Sequence, residues 1–315
     1  MPNKMWKFAD ILDLNMKKAL ILAILGLFAT TYLEAQVNEA LTFTRIDRNP
    51  RTAAIAGAGA ASVTNVAYAS FNNAAVVPFY EKHGDFALGY QNWAPGMAGI
   101  NAINFGGAYR FGKRFGITAG VVYQFEKPDE EKFSPSGLQI NLGAGFKILN
   151  WLGIGVNVRF AQDNLFKGMS YNAFAADALL LFNPVTGLNI TAGISNIGSN
   201  VISKSGKQYP QPASIKAAAA YYLALGKMNS LEFMLDEDYY INSKSNALSF
   251  GIEYSCNKIV YARVGYRYAT ERAPIPSHLG IGLGVQFAGF RLDFSYLTVS
   301  QALSNTIAVG LGYRF

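Results

Sequence analysis

Few side chains in this sequence could do covalent chemistry. The 315 residues include two histidines, His83 and His278, and one cysteine, Cys256. A serine nucleophile needs a histidine within hydrogen-bond reach as its general base, and only Ser277 adjoins a histidine. Neighbouring residues of a strand point to opposite faces, so Ser277 and His278 do not form such a pair. With no disulfide and no Cys/His spacing for zinc, the sequence predicts no enzyme, no metal site and no cofactor.

Ionisable residues recur at alternate positions of several segments, which would put them on one face of a strand. Glu232, Asp236 and Asp238 alternate within residues 230–239, while Arg263 and Arg267 alternate further along the chain. Such groups can form ion pairs across a lumen and so stiffen a barrel. The alternative is that they bind a carboxylate ligand or a polypeptide. The predicted lumenal charge network consists of Arg159, Asp177, Lys216, Glu232, Asp236, Asp238, Glu253, Arg263, Arg267, Arg291 and Asp293.

These charges lie on a repeated kind of segment. After residue 83, stretches of roughly 9–13 residues carry an apolar side chain at every second position and end at turn residues, which predicts two-faced strands. Leu279, Ile281 and Leu283, for example, alternate with glycines. The fourteen predicted strands are residues 84–92, 100–111, 115–126, 137–148, 151–161, 171–183, 187–196, 213–225, 230–239, 246–255, 258–269, 277–288, 290–298 and 304–315.

The number, length and connections of these strands indicate a transmembrane barrel. Tilted strands cross a bilayer in about 9–11 residues, and outer-membrane barrels have short periplasmic turns and longer surface loops. The longer connections here are residues 127–136, 162–170, 197–212, 270–276 and 299–303, which places the C-terminus in the periplasm. The last strand ends with Tyr313 and Phe315, aromatic residues of the kind that the outer-membrane insertion machinery engages. We interpret them as a C-terminal insertion signal.

The composition agrees with a chain surrounded by lipid. Hydrophobic residues make up 51% and charged residues only 15%, against about 25% charged residues in an average soluble protein. The net charge of +7 is spread singly along the strands, which disfavours a nucleic-acid partner. A soluble β-sandwich would also alternate, but it would turn its polar side chains outward. The predicted fold class is therefore all-β, a transmembrane antiparallel β-barrel of about 14 strands in the bacterial outer membrane, with an N-terminal lumenal hatch or plug.

The N-terminal region, residues 1–35, has the pattern of a secretory signal peptide. An apolar run at residues 19–29 follows Met16 and two lysines, and small residues end at Ala35. The run is shorter than the about 20 residues that span a bilayer, which disfavours a membrane anchor. We expect cleavage between Ala35 and Gln36, and translation from Met16.

Residues 36–83 precede the barrel, residues 84–315, and do not alternate. The stretch from Arg51 to Val63 is rich in alanine and glycine, and small residues permit close packing in a confined space. We therefore predict that this segment folds into the lumen as a hatch. A periplasmic tail with partial helix is the alternative.

Short motifs resemble those of FadL-type barrels and of the PorV/PorQ family, in which an Arg-Ala…Gly-Gly-Ala stretch precedes Trp-Asn-Pro-Ala. Phe71 and Asn73 stand where that family has tryptophan and proline. Later strands are also similar, with Gly-x-Glu-Tyr ending at Tyr254 and Arg-x-Gly-Tyr-Arg ending at Arg267. The matching residues of the hatch motif are Arg51, Ala53, Gly57, Gly59, Ala60, Asn72 and Ala74.

The resemblance implies a FadL-like barrel and, within the PorV/PorQ group, a link to the type IX secretion system. In that group, PorV carries cargo proteins that are recognised by a conserved C-terminal domain of the cargo, and PorQ belongs to the cell-surface attachment complex. The main expectation is that the chain supports type IX secretion or cell-surface attachment by binding system components or cargo C-terminal domains. The alternative is FadL-like transport of hydrophobic small molecules. An open diffusion porin is disfavoured because the hatch would leave little aqueous path.

Overall fold

A computed structural model describes residues 39–96, 99–128 and 133–315. The predicted signal peptide and the start at Met16 lie outside the described residues, as do residues 129–132 of one long loop. Among the residues described, no helix is both long enough and apolar enough to cross a bilayer.

Fourteen strands form a closed antiparallel barrel. Each barrel strand pairs with the barrel strands that precede and follow it in the sequence, and the first strand pairs with the last. The predicted fold class is confirmed for the barrel. A two-stranded hairpin, β8 with β9, lies in the longest connection. The strands are β1 (Gly84–Trp93), β2 (Ile100–Phe111), β3 (Phe115–Phe125), β4 (Ser136–Leu149), β5 (Leu152–Phe166), β6 (Met169–Val185), β7 (Leu188–Gly198), β8 (Val201–Ile202), β9 (Gln208–Tyr209), β10 (Ser214–Leu225), β11 (Asn229–Tyr240), β12 (Ser245–Cys256), β13 (Val260–Ala269), β14 (His278–Phe287), β15 (Phe290–Thr298) and β16 (Thr306–Arg314).

The connection between β5 and β6 differs from the sequence-based expectation. Residues 162–170 are predicted as a longer loop, but both strands extend through this range and leave only the turn at Lys167 and Gly168. Polar contacts hold this extension, since Gln162 Nε2 donates to Ser170 Oγ at 2.8 Å. The prediction was wrong because apolar alternation ends before the strand pairing does.

The outer face of the barrel is apolar and the inner face is polar. On β14, the outward side chains of Ile281, Leu283 and Val285 are 43%, 62% and 50% exposed, whereas the inward Gln286 is buried. The same alternation of exposed and buried positions recurs along β3, β5 and β13. An apolar exterior of this extent is stable only in lipid.

Aromatic rings surround the point where the barrel closes. The Phe315 ring lies 6.0 Å from that of Phe86 and 5.9 Å from that of Tyr313, measured between centroids. The Phe315 carbonyl also accepts hydrogen bonds from the backbone N–H groups of His83 and Gly84 at 2.8 and 3.0 Å. Phe315 therefore ties the end of the chain to the start of β1, at the end of the barrel that carries the short turns. Recognition of this terminus during insertion stays a prediction.

The N-terminal segment, residues 39–83, packs against the inward faces of the strands. It contains a short helix, α1 (Pro50–Ala54), and 3-10 turns at Thr42–Arg45, Ala69–Phe71 and Ala74–Phe79. Asn49 caps α1, because its side chain accepts a hydrogen bond from the Arg51 N–H. A movable hatch function for this segment stays a prediction.

Inward glycines on the strands make room for the segment. A Cβ atom at Gly265 would lie 2.4 Å from the Ile55 carbonyl carbon, and one at Gly280 would lie 2.5 Å from the Ala53 oxygen. Any larger residue at either position would displace the segment's backbone. The glycines of β13 and β14 are therefore packing requirements.

A charge on the outer face tests the membrane assignment. We expect Leu283→Arg, in the middle of β14, to lower the free energy of unfolding in lipid vesicles by about 2–4 kcal/mol, because the charge meets hydrocarbon. Met228→Arg is the control, since Met228 is 59% exposed in a turn, and it should cost under about 1 kcal/mol. Equal effects of the two changes in urea titrations would contradict the assignment.

Candidate functional site

Arg51 joins the N-terminal segment to the barrel wall. Its Nε lies 2.7 Å from Glu253 Oε2, and its Nη2 lies 2.8 Å from Glu232 Oε2 and 3.0 Å from Glu253 Oε1. Glu232 and Glu253 are directly opposite each other on β11 and β12. Two carboxylates so placed repel each other, and Arg51, which is 2% exposed, offsets this repulsion by bonding to both.

A chain of ion pairs extends this contact around the wall. Arg263 contacts Glu253 through Nε and Asp293 through Nη1, the latter at 2.7 Å. Arg291 then bridges Asp293 at 2.9 Å and Asp85 at 3.3 Å. Asp85 returns to the N-terminal segment, because its Oδ2 accepts a hydrogen bond from the Val66 N–H at 3.0 Å.

A second group of charges holds the glycine-rich part of the segment. Lys216 Nζ lies 2.9 Å from Asp238 and 3.9 Å from Asp236, and Arg45 Nη2 lies 2.7 Å from Asp238. Asp236 accepts hydrogen bonds from the backbone N–H groups of Gly59 at 2.8 Å and Ala60 at 3.0 Å. These two amides of the hatch motif thus bind a barrel carboxylate.

A third group lies on β5 to β7. Arg159 Nη2 is 3.3 Å from Asp177 Oδ2. Asp177 also accepts hydrogen bonds from the Asn196 N–H at 2.6 Å and from Ser195 Oγ at 2.9 Å. Asn196 has a φ of 59°, and the β6–β7 register shifts between Ala176 and Ala178. Asp177 therefore satisfies the backbone at a β-bulge.

The structure thus brings the predicted network into three connected groups, with one exception. Arg267 donates from Nη1 to Ser249 Oγ and from Nη2 to the Tyr240 hydroxyl, both at 3.0 Å. Within the described part of the chain, no carboxylate lies within 4 Å of Arg267. Gly57 packs beside its guanidinium and has a φ of +88°, which glycine adopts without strain.

The remaining hatch-motif residues make local contacts. The Asn72 N–H donates to the Ala69 carbonyl at 3.2 Å. The Ala74 carbonyl lies against Gly145 of β4, where a Cβ would be 2.2 Å away.

Asn73 stands where the motif of PorV/PorQ proteins has proline, and it makes three hydrogen bonds. Its Oδ1 accepts from the Ala75 N–H at 2.9 Å, and its Nδ2 donates to the Ala60 carbonyl at 2.8 Å and to Thr191 Oγ1 at 3.0 Å. This asparagine therefore links two parts of the segment to β7.

An apolar cluster closes the end of the barrel that carries the long loops. Its members come from the N-terminal segment, from strand ends and from loops, and all of them are buried. Sequence alternation missed this cluster because most of its residues lie outside regular strands. They are Leu41, Phe43, Ile46, Trp93, Ala94, Ala161, Ala173, Val201, Ile275, Leu297 and Leu303.

A cavity of about 110 Å³ adjoins this cluster, lined on its apolar side by Trp93, Ile275 and Leu297. Its polar wall includes Arg267 and His278, an adjacent cross-strand pair of β13 and β14. The cavity therefore has one apolar and one polar side.

Asp47 and Arg48 of the N-terminal segment also line this cavity, together with Arg45 and Arg51. Burial raises the pKa of Asp47 to about 6 and lowers the pKa of Arg48 to about 9. Arg48 donates to Gln91 Oε1 at 3.0 Å and to Gln124 Oε1 at 2.6 Å, and no carboxylate of the described residues lies within 4 Å. Sequence analysis missed Asp47 and Arg48, since no periodic pattern marks them.

The structure is similar to solved structures of FadL-type barrels. The Pseudomonas putida toluene transporter TodX matches with a TM-score of 0.63 and 12% identity, over 89% of this chain and 99% of that one. The Ralstonia pickettii toluene transporter TbuX matches with 0.58 and 12%, over 85% and 98%. A Pseudomonas aeruginosa FadL homologue matches with 0.55 and 11%, over 89% and 100%. No family model and no curated protein matches the sequence.

These similarities establish the fold of bacterial outer-membrane β-barrels, in agreement with the apolar exterior. The protein is an outer-membrane β-barrel. The finer resemblance to PorV/PorQ proteins stays a prediction from its motifs.

Removing Arg51 should destabilise the barrel. Arg51→Met leaves Glu232 and Glu253 opposed, and we expect a loss of about 3–5 kcal/mol in the free energy of unfolding. Adding Glu232→Gln should recover part of that loss, because one of the two charges is gone. Arg110→Met is the control, since Arg110 donates only to backbone carbonyls. An Arg51 variant as stable as the Arg110 variant in urea titrations would contradict this role.

Stability should depend on pH through Asp47. Its folded pKa of about 6 exceeds the ordinary value of 3.8, so the folded protein holds the proton more tightly, and the stability this provides is lost as pH rises through about 6. Asp236 raises this pKa and Arg267 opposes the rise. Relative to the wild type, the free energy of unfolding of Asp47→Asn should therefore rise between pH 4.5 and pH 8, by on the order of 2 kcal/mol. Parallel unfolding profiles for the two proteins would refute this, and Glu81→Gln, which changes an exposed carboxylate, is the control.

Proposed function

We propose that this barrel carries hydrophobic small molecules across the outer membrane. The observation that supports it is the apolar cluster at the long-loop end, which leads to a cavity with an apolar wall of Trp93, Ile275 and Leu297. A water-filled porin would place polar groups at this mouth. The fold is similar to that of structures named as toluene transporters.

The size of the cavity limits the ligand in the present conformation. A cavity of about 150 Å³ lined by apolar side chains holds benzene, and this one is about 110 Å³. Leu41, Phe43 and Ile46 of the N-terminal segment fill the space above it. A benzene-sized ligand therefore enters when residues 41–46 move away from the cluster.

An uptake assay tests this proposal. In a deletion strain, the wild-type gene should restore uptake of labelled toluene, and Ile46→Ser should lower it by about five-fold or more, because a hydroxyl group disfavours an apolar ligand at the mouth. The matched control is Ile202→Ser in β8, near the same mouth, where the side chain is 62% exposed. Folding of each variant is checked by the mobility of unheated samples in gels. Equal toluene uptake with and without the gene would overturn the proposal.

A role in type IX secretion or surface attachment is the second candidate, supported by the hatch-motif resemblance. The longest connection at the long-loop end would be the surface that binds system components or cargo C-terminal domains. Ile202 is exposed there, and Lys207 Nζ lies 5.2 Å from the centre of the Tyr209 ring. The same deletion strain separates the two functions, because loss of surface proteins that share one C-terminal domain supports secretion. An unchanged surface proteome would exclude an essential export role.

A further inference from the structure

A second and larger cavity lies at the opposite end of the barrel, where the short turns and the C-terminus are. Its volume is about 290 Å³, near the lower limit of the about 300–1,000 Å³ typical of small-molecule sites. The N-terminal segment contributes Val63–Asn65 and Tyr80–Lys82 to its wall. Arg51 of the same segment, turn residues such as Lys258, and inward residues at the short-turn ends of the strands form the rest of the wall.

The lining carries an excess of positive charge. Arg51, Arg263 and Arg291 are neutralised by the carboxylates of the network. Three further cations, Lys82, Lys258 and Arg314, also line the cavity, and no carboxylate of the described chain lies within 4 Å of any of them. Glu81, which is exposed, is the one lining carboxylate without an ion pair among the residues described. Three available cations and one available anion favour a negatively charged ligand.

Two buried donors also lie unused in this wall. The Tyr80 hydroxyl and the Asn65 amide nitrogen donate to no acceptor in the described structure, and Tyr80 is 4% exposed. A buried donor without an acceptor is unfavourable, so a bound acceptor would be stabilising. Arg314 lines the same wall as Tyr80, and because a guanidinium only donates hydrogen bonds, it leaves the hydrogen of the Tyr80 hydroxyl available to an acceptor.

Three tyrosine rings also line this cavity, beside amide and hydroxyl side chains. Tyr222 and Tyr261 line it together with Tyr80, and Arg263 stacks on the Tyr261 ring at 5.3 Å. Flat rings beside cations suit a ligand with a planar or aliphatic body and one anionic end. An inorganic anion would use the cations and leave the rings without a contact.

We propose that this cavity binds an organic carboxylate with an aromatic or short aliphatic body. The carboxylate is held by Lys258 and Arg314 and accepts from the Tyr80 hydroxyl, and the body packs on Tyr222 and Tyr261. The site lies at the opposite end of the barrel from the apolar mouth and is independent of the uptake of hydrophobic molecules. It is a binding site at the periplasmic end of the barrel.

Calorimetry on the full chain, purified in a non-ionic detergent, tests this site with three probes. Sodium benzoate should bind with a Kd below about 1 mM, at least about ten-fold more tightly than benzyl alcohol, which has the ring without the charge. Sodium sulfate, which has charge without a ring, should bind at least about ten-fold more weakly than benzoate. Benzyl alcohol or sulfate binding as tightly as benzoate would overturn the proposal.

Matched variants locate the binding. Lys258→Gln and Arg314→Gln should each weaken benzoate binding by about ten-fold, and Tyr80→Phe should weaken it by several-fold without changing the charge. Lys113→Gln and Lys227→Gln remove cations of neighbouring short turns that do not line the cavity, and they should leave the Kd unchanged. Equal losses in both sets would show a general charge effect and refute the site. Benzoate binding in a protein that does not transport toluene would leave this inference standing and remove the proposed function.

Discussion

A charge inside a barrel whose outer face lies in lipid must find a counter-charge or hydrogen-bond partners in the lumen, because neither the sheet nor the hydrocarbon solvates it. In the described part of the chain, each of seven buried carboxylates lies within 4 Å of a cation. Five of the seven buried cations have a carboxylate partner in return, while Arg48 and Arg267 bind amide, carbonyl or hydroxyl groups. The N-terminal segment is part of this balance, since Arg45 and Arg51 supply cations to Asp238, Glu232 and Glu253. Without the segment, the carboxylates of β11 and β12 would face one another with fewer cations. The barrel and its N-terminal segment are therefore stabilised together.

Small residues on both sides permit that pairing. Arg51 reaches both carboxylates because α1 approaches the wall at Gly280 and Gly265, where any side chain would collide with Ala53 or Ile55. The backbone amides of Gly59 and Ala60 come close enough to bind Asp236 directly. Alanine and glycine in the segment thus pack directly against glycine in the strands. Because small residues let the segment and the wall approach closely, they permit both the tight packing and the polar contacts of the network.

Most of the barrel could be predicted from the sequence, because alternation with a period of two is the direct signature of a strand with one face in lipid. The same alternation correctly predicted that residues such as Glu253, Arg263 and Asp293 lie on the inner face of the barrel. It failed where polar contacts replace alternation, as in the β5–β6 hairpin held by Gln162 and Ser170. It also failed for Arg45, Asp47 and Arg48, since their partners are determined by tertiary packing of a segment without periodicity. The apolar mouth was missed for the same reason: Leu41, Trp93 and Ile275 are brought together only by the closed fold.

The charge network also divides the lumen into two compartments of different chemistry. Above it lies the cavity beneath the apolar mouth, and below it lies the cation-rich cavity at the short-turn end. Arg51 and Asn65 line both cavities, so at that level a layer of side chains separates them. The proposed transport of a hydrophobic molecule along the axis therefore requires the segment that carries Arg51 to leave these ion pairs, which are costly to break. An organic anion entering from the periplasm meets cations that have no carboxylate of their own, and stops at the same layer. The ion pairs of Arg51 with Glu232 and Glu253 thus hold the N-terminal segment to the wall and also separate the two cavities. A mutation that breaks these ion pairs therefore affects both roles at once.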